Sequence, residues 1–464
     1  MRTALSIVVL AVSAAAGCSP PVPDFVGSSP DRVSAPSEPR APEEEAIEPT
    51  LPSVPPACGA TMDWEPFSFV GPVVQVPAGT SLQAAIDAAP NGAVLELAPG
   101  RYVAHAQPFV DPTCGNCQPD DPKQPKATVG FVLRGKAIAI RGAGASKTEL
   151  VTNAGYGFYV EDACEVRLEG LSITGGKRDE DGDAADGAVV VRRSRATIAD
   201  VVIHRNLELR PGGAYPGIAG VMCREGSDVL VVDSEIVDNS WDGVAVYRDG
   251  RARVVNSRIT RGKGVAVGVT WNGRARIVGS DLSSYWKGVG AFVDAKVELY
   301  STFVHEHLGW GVWAADRAEI IAINDTIAYN DQLGVYLGSP QSRGVFVNNV
   351  VAHNGWNEKG GYTPQTFGRG GIRGIHPSKS PFTIQHNVLY GNLGGDYTQP
   401  SGSIAVPTRE WGPTNRRSDP KLVSREDLRP APGSPLLNAG DPSVENPDGS
   451  RSHIGATGGP HARL

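Results

Sequence analysis

The chain has 464 residues, 56 of them glycine, and a formal net charge of −7. That charge, with no cluster of lysines and arginines, excludes the basic face a nucleic-acid-binding protein needs. Abundant glycine and valine without long helical periodicity exclude an α-helical chain and point to an all-β protein full of turns.

Residues 1–17 read as an export signal: Arg2 gives the positive start, Ala4 to Ala16 the apolar stretch, and Ala15-Ala16-Gly17-Cys18 a small-residue cleavage site. The site resembles the lipobox of bacterial lipoproteins, with Ala15 where leucine is commoner. This implies that Cys18 is lipidated and that the membrane is reached through that anchor alone. Ser19 after it implies the outer membrane as the destination. Residues 18–57 are rich in proline, serine and glutamate and read as an extended tether.

Residues 58–155 are expected to form an N-terminal cap and the first coils. Cys58, Cys114 and Cys117 lie here, where one disulfide would staple the cap. The Cys114-Gly115-Asn116-Cys117 spacing suits redox chemistry or half a zinc site, and with no second pair a structural disulfide is favoured. From Ser81 the text SLQAAIDAAPNGAVLELAPGRY places a capped helix whose Leu82, Ala85, Ile86 and Ala89 share a face, then a turn at Asn91-Gly92 and a strand over Val94–Leu97.

Over residues 156–400 one motif recurs: glycine, apolar, variable, apolar. It reads GFYV from Gly157, GAVV from Gly187, GVMC from Gly220, GVAV from Gly243, AVGV from Ala266, GVGA from Gly288, GVWA from Gly311, GVYL from Gly334 and GIRG from Gly371. Steps of 22 or 23 residues dominate, with insertions. Such a period marks stacked repeats. A second strand is clearest in GRARVVNS from Gly250 and GRARIVGS from Gly273. A small or polar residue then turns the chain at Asp200, Asp233, Asn256, Gly279, Ser301, Asn324 and Asn348. The third strand centres on Ile173, Ile203, Ile236, Ile259, Leu282, Val304, Ile327, Val351 and Leu389. Asparagines at the turn can ladder from coil to coil. Residues 401–464 should close the far end, and Cys223 should sit inside as a free thiol.

The helix-and-strand opening and an ending of Asp419-Pro420, Leu428, SPLLNAGDP from Ser434 and His453-Ile454-Gly455-Ala456 resemble the pectin-lyase-like superfamily of right-handed parallel β-helices. The resemblance implies a solenoid of about ten coils with a helix cap and an irregular C-terminal cap. It also implies a polysaccharide cleft along the first strand, walled by loops. The chain carries three long insertions at one corner, Thr174 to Asp186, His204 to Ala219 and Asn354 to Gly370. The Asn-Thr-Asp, Gly-His-Gly and Arg-Ile-Lys motifs of polygalacturonases, the Asp-Pro-His-Asp of alginate epimerases and the Arg-x-Pro-x-x-Arg of pectate lyases are absent. No catalytic subfamily is matched, and enzyme or non-enzyme stays open.

The variable position gives an outward column: Tyr159, Val189, Met222, Ala245, Gly268, Gly290, Trp313, Tyr336 and Arg373. Trp241, Trp286, Trp310 and Trp356 recur at the corner before these strands. Aromatic faces suit sugar rings, so Trp241, Trp286, Trp310, Trp313, Tyr336 and Trp356 are the candidate glycan contacts; ordinary packing under the long loops is the rival reading. Asp186 and Asp242 share the position before the glycine and Lys287 takes it two coils beyond Asp242, about 10 Å away along the stack. A carboxylate and an amine so placed could bind a uronate or move a proton. Asp179, Asp181 and Asp183 offer oxygen ligands to calcium, or form a solvated acidic loop. His204, His305, His307 and His353 lie near the third strand, His305 and His307 with strand alternation, and are expected to be exposed polar groups. The leading reading is a monomeric, lipid-anchored polysaccharide-binding solenoid of the cell envelope. An adhesive rod presenting loops to a protein partner is the alternative.

Overall fold

The computed structural model describes residues 58–59, 62–115, 117, 123–207, 217–337, 339–356, 368–375, 377–399 and 405–462. The signal segment, Cys18 and the tether to residue 57 lie outside the described residues, as do parts of the second and third insertions.

Among the described residues, twelve strands form the first sheet. Gln107–Val110 runs antiparallel to Lys126–Arg134; the glycine-led strands then stack in parallel from Tyr156–Glu161 through Lys287–Ala291 and Trp310–Ala314 to Gly370–Gly374 and Tyr397–Thr398. The second and third strands of each repeat share one 21-stranded sheet. The two octets pair in register as expected, Arg251 with Arg274 and Val254 with Ile277.

The turn residues were legible for a steric reason. Asp200, Asp233, Asn256, Ser301, Asn324 and Asn348 all have φ between 48° and 61°, and Gly279 has 56°. A single left-handed residue bends the chain sharply, and short polar side chains or glycine tolerate that conformation best. Beyond the turn, Ile236, Ile259, Leu282, Val304, Ile327 and Val351 form one fully buried column. Burying each such side chain stabilises the fold by about 1.5–3 kcal/mol, so the column holds the coils together more than any one turn does.

The polar ladder runs one residue past the position expected for it. Ser234, Ser257 and Ser280 accept from the backbone N–H of the preceding coil, and Asp325, Asn349, Asn387 and Asn415 continue the same column. Each satisfies a buried peptide group that has turned away from the sheets. A second ladder at the third corner contains Asn206 and Asn239 and, further along, His307, Asn330, Asn354 and Asn392. His307 is therefore fully buried, with Nδ1 facing the Tyr285 N–H and Nε2 the Leu282 carbonyl. The expectation that it is exposed and shares a face with His305 is corrected: the turn breaks the strand alternation between them.

The helix spans Leu82–Ala88, with the Ser81 Oγ accepting from Ala84 N, and it packs Leu82 and Ile86 into the main core. Val406 and Trp411 join that core at the other end. The following segment turns back along the second corner: Ser301 Oγ donates to the Gly458 carbonyl and Asn324 Nδ2 to Ser452 Oγ. Two disulfides form, Cys58–Cys164 and Cys114–Cys117, and Cys223 is a buried free thiol.

Candidate functional site

Three columns of the first sheet point away from the core. In the middle one, Val132, Tyr159, Val190, Met222, Ala245, Gly268, Gly290, Trp313, Tyr336 and Arg373 follow each other across the rungs. Val190, not Val189, belongs to it; Val189 lies in the main core against the Phe158 rung. The motif GAVV is shifted by one residue because Ala188 takes the rung of Gly157, and a one-residue shift reverses every side chain. The same shift separates Asp186 from Asp242. Gly187 and Ala219 precede Asp242 in its column, with Val265, Lys287 and Trp310 following.

The N-terminal part of this face is sealed. Tyr156, Tyr159, Val190, Met222, Ala245, Tyr247 and Trp271 form a second buried cluster with Ala184 and Ala185, and Phe109 packs on it. Asp111 clamps the covering segment, accepting from Tyr156 Oη at 2.7 Å and pairing at 2.7 Å with Arg224, both side chains fully buried. Met222 and Ala245 are thus the floor of a packed layer, not of an open groove.

Asp186 is bound within that cover. Its Oδ2 accepts from Arg178 and from the backbone N–H of Asp179, and burial raises its carboxyl to about 8 against the pull of Arg178. Asp179 accepts from the Thr128 N–H and hydroxyl, Asp181 from the Lys126 N–H, and Asp183 pairs with Lys123. These contacts favour the acidic-loop reading over the calcium one. Protein donors take these oxygens, and among the described residues the one group of three ligand atoms within 4.8 Å is Cys114, Cys117 and Asp183, whose sulfurs are joined in a disulfide.

The remaining candidates converge farther along. Lys287 is almost wholly buried, its Nζ 3.5 Å from the ring centre of Trp313, 3.6 Å from Trp286 and 4.8 Å from Trp310. Such a cage stabilises an ammonium through the aromatic quadrupoles. Trp310 and Trp313 meet edge to face, and Tyr336 lies against Trp310 at 5.4 Å. Asp242 is fully buried, its Oδ1 accepting from Val265 N at 2.7 Å. Burial lifts its carboxyl to about 7, opposed by the Val265 N–H, the Lys287 charge and the Tyr247 hydroxyl. A Cβ on Gly268 would stand 3.2 Å from Asp242 Oδ2, and one on Gly290 2.7 Å from the Phe292 ring. These two glycines make room for an acid and an aromatic ring laid flat on the sheet.

Among the tryptophans, Trp241, Trp310 and Trp313 are buried, which favours packing for those three; Trp286 and Tyr336 are partly exposed and Trp356 is 51% exposed. Trp356 sits apart at the third corner, its Nε1 donating to the Gly391 carbonyl. Tyr247, Thr270 and Phe292 form a third outward column that the four-residue motif does not reach, each one position past the end of its strand and still bonded to the coil before.

Residues 128–282 match the family described as right handed beta helix region. No curated protein matches the chain. Among solved structures, a pectate lyase, Pel9A, superposes with a TM-score of 0.51 at 15% identity, covering 83% of this chain and 96% of that one. A mutant of the periplasmic alginate epimerase AlgG gives 0.44 at 14%, covering 70% and 72%. The catalytic unit of an α-1,3-glucanase from Streptomyces thermodiastaticus gives 0.38 at 13%, covering 73% and 71%.

Proposed function

We propose that this chain, a right-handed parallel β-helix of the pectin-lyase-like fold, binds a polysaccharide along the C-terminal part of its first-sheet face. The observation that carries the reading is the cluster of Trp286, Lys287, Phe292, Trp313, Tyr336 and Arg373. Trp286, Phe292, Tyr336 and Arg373 stay partly exposed there, while Lys287 and Trp313, packed against Trp286 and Phe292, are buried. Rings of this kind pack against sugar rings, and the cations suit hydroxyl-rich or acidic sugars. A fold shared with a pectate lyase accords with this without carrying it. Asp242, fully buried beneath the same face with its carboxyl raised to about 7, is its candidate acid–base group, so cleavage of the bound chain is part of the proposal.

The anchor is proposed with it: lipid on Cys18, a tether to residue 57, and a monomeric solenoid held at the outer membrane. Retention of the soluble chain on a polysaccharide array, followed by analysis of released products, tests the binding and the cleavage. Loss of retention in Trp286→Ala with folding intact is the expected result. Uniform silence across acidic and neutral glycans would leave the adhesive-rod reading instead. Membrane fractionation of Cys18→Ala tests the anchor.

A further inference from the structure

The first-sheet face is divided by a wall. From Tyr159 to Trp271 its outward side chains are buried in one cluster that includes Ala184 and Ala185 and has Phe109 packed on it. The segment that does this is fixed at several independent points. Asp111 and Arg224 pair with no solvent access to either side chain, and the Arg224 guanidinium also donates to the carbonyl and hydroxyl of Thr113. Arg248 donates to the carbonyls of both Cys114 and Cys117, which their disulfide holds side by side. Gly115 rests against Arg224 and Ala185 so closely that a Cβ there would collide with both. Opening this cover would break all of these contacts at once and expose the apolar cluster beneath to water, so it is a wall and not a lid.

Beyond the wall the middle column offers Gly290, Trp313, Tyr336 and Arg373, and the parallel stack ends one rung later at Thr398. That is four rung spacings, about 19 Å. Asp242 lies at the foot of the wall beside Tyr247, and Lys287 is the first cation past it.

Resting on the polysaccharide reading above, we infer that this face is a blind slot: it takes the end of a glycan chain, with the terminal sugar beside Phe292 where the Tyr247–Trp271 wall begins, and does not accommodate an unbroken chain passing through. An open groove would admit any internal stretch of polymer. A slot closed at one end admits one protein per chain terminus, and the buried Asp242 and Lys287 lie in the floor of its closed end.

The test uses polygalacturonate, alginate and an α-1,3-glucan, each intact and each partly depolymerised to a tenth of its mean length, at equal mass. Bound protein at saturation is measured by co-sedimentation or on a surface. For whichever polymer is retained, terminal recognition predicts that the shortened preparation binds about tenfold more protein per unit mass, because chain ends have multiplied tenfold. It also predicts that affinity for oligomers of the same glycan stops rising once they fill the slot. Equal binding per unit mass before and after shortening overturns the blind slot while leaving the polysaccharide reading intact. No retention of any of the three, in either form, removes both.

Discussion

Asp242 and Lys287 stand in one column of the first sheet, two coils apart, with Val265 between them. The acid is held at about 7 by burial, and the lysine's charge is one of the forces holding it down. An unfolded chain would titrate the same carboxyl near ~4. The folded pKa is the higher one, so Asp242 contributes its stability fully below pH ~4 and that contribution is lost as the pH rises through 7. Asp242→Asn should therefore flatten the stability profile across this window and gain on the parent above it, by roughly 4 kcal/mol at most. Urea unfolding at several pH values measures this. In the Lys287→Met variant the Asp242 carboxyl resonance should titrate higher than in the parent; an unchanged midpoint would mean the two charges do not sense each other.

The tryptophans separate into two groups. Trp241 is buried and shares its rung position with Trp286, which is partly exposed two coils on. Trp241→Ala should cost about 3–5 kcal/mol by leaving a cavity. Trp286→Ala should cost much less stability and should weaken retention on glycan. Denaturation curves beside affinity electrophoresis give both readouts, and a glycan effect confined to Trp241→Ala through unfolding would argue against the proposed face.

How much of this could be read in advance depends on what constrains each position. The turn residues and the inward columns were legible because positive φ and complete burial restrict them to a few residue types every 23 residues. The first-sheet register was misread at Gly187-Ala188, where two small residues in succession both fit the crowded rung. The wall left no trace at all. Gln107–Cys117 lies outside the repeat period, and its attachment depends on Asp111 meeting Arg224 across 113 residues of sequence. Asp242 and Lys287 were visible as a pair, whereas Tyr247 and Phe292, which frame them, lay beyond the motif.

Asp325 occupies a ladder position that asparagine fills in the next three coils, at Asn349, Asn387 and Asn415. Its Oδ1 accepts from Thr302 N, and burial pushes its carboxyl well above the ordinary range. Protonated, it matches the shape of its asparagine neighbours; ionised, it is a buried charge that among the described residues is met only by backbone N–H groups. As with Asp242, the raised pKa means stability that is present in acid and is lost as the pH rises. Asp325→Asn should raise the melting temperature at pH 8 and leave it nearly unchanged at pH 4. A variant less stable than the parent at pH 8 would show that the carboxylate is held by something other than the ladder.

The two disulfides should differ sharply in what their loss does. Cys58–Cys164 closes a loop with a sequence separation of 106, whereas Cys114–Cys117 spans a separation of 3. Chain entropy in the unfolded state makes a long closure worth about 4–5 kcal/mol and a very short one far less. Cys58 also lends its carbonyl to Arg195, whose guanidinium lies over Trp64 at 5.2 Å, so this bridge fixes a segment packed across the outside of the second sheet. Cys58→Ser should consequently lower the unfolding midpoint strongly and expose Trp64 to quenching. Cys114→Ser should barely move the global midpoint. Its effect should be local, because Arg248 then donates to carbonyls no longer held together. Hydrogen exchange should rise in the covering segment near residues 107–117 while the coils stay protected. Equal global losses in the two variants would mean that the short bridge holds the wall, and through it the stack, more firmly than loop entropy allows.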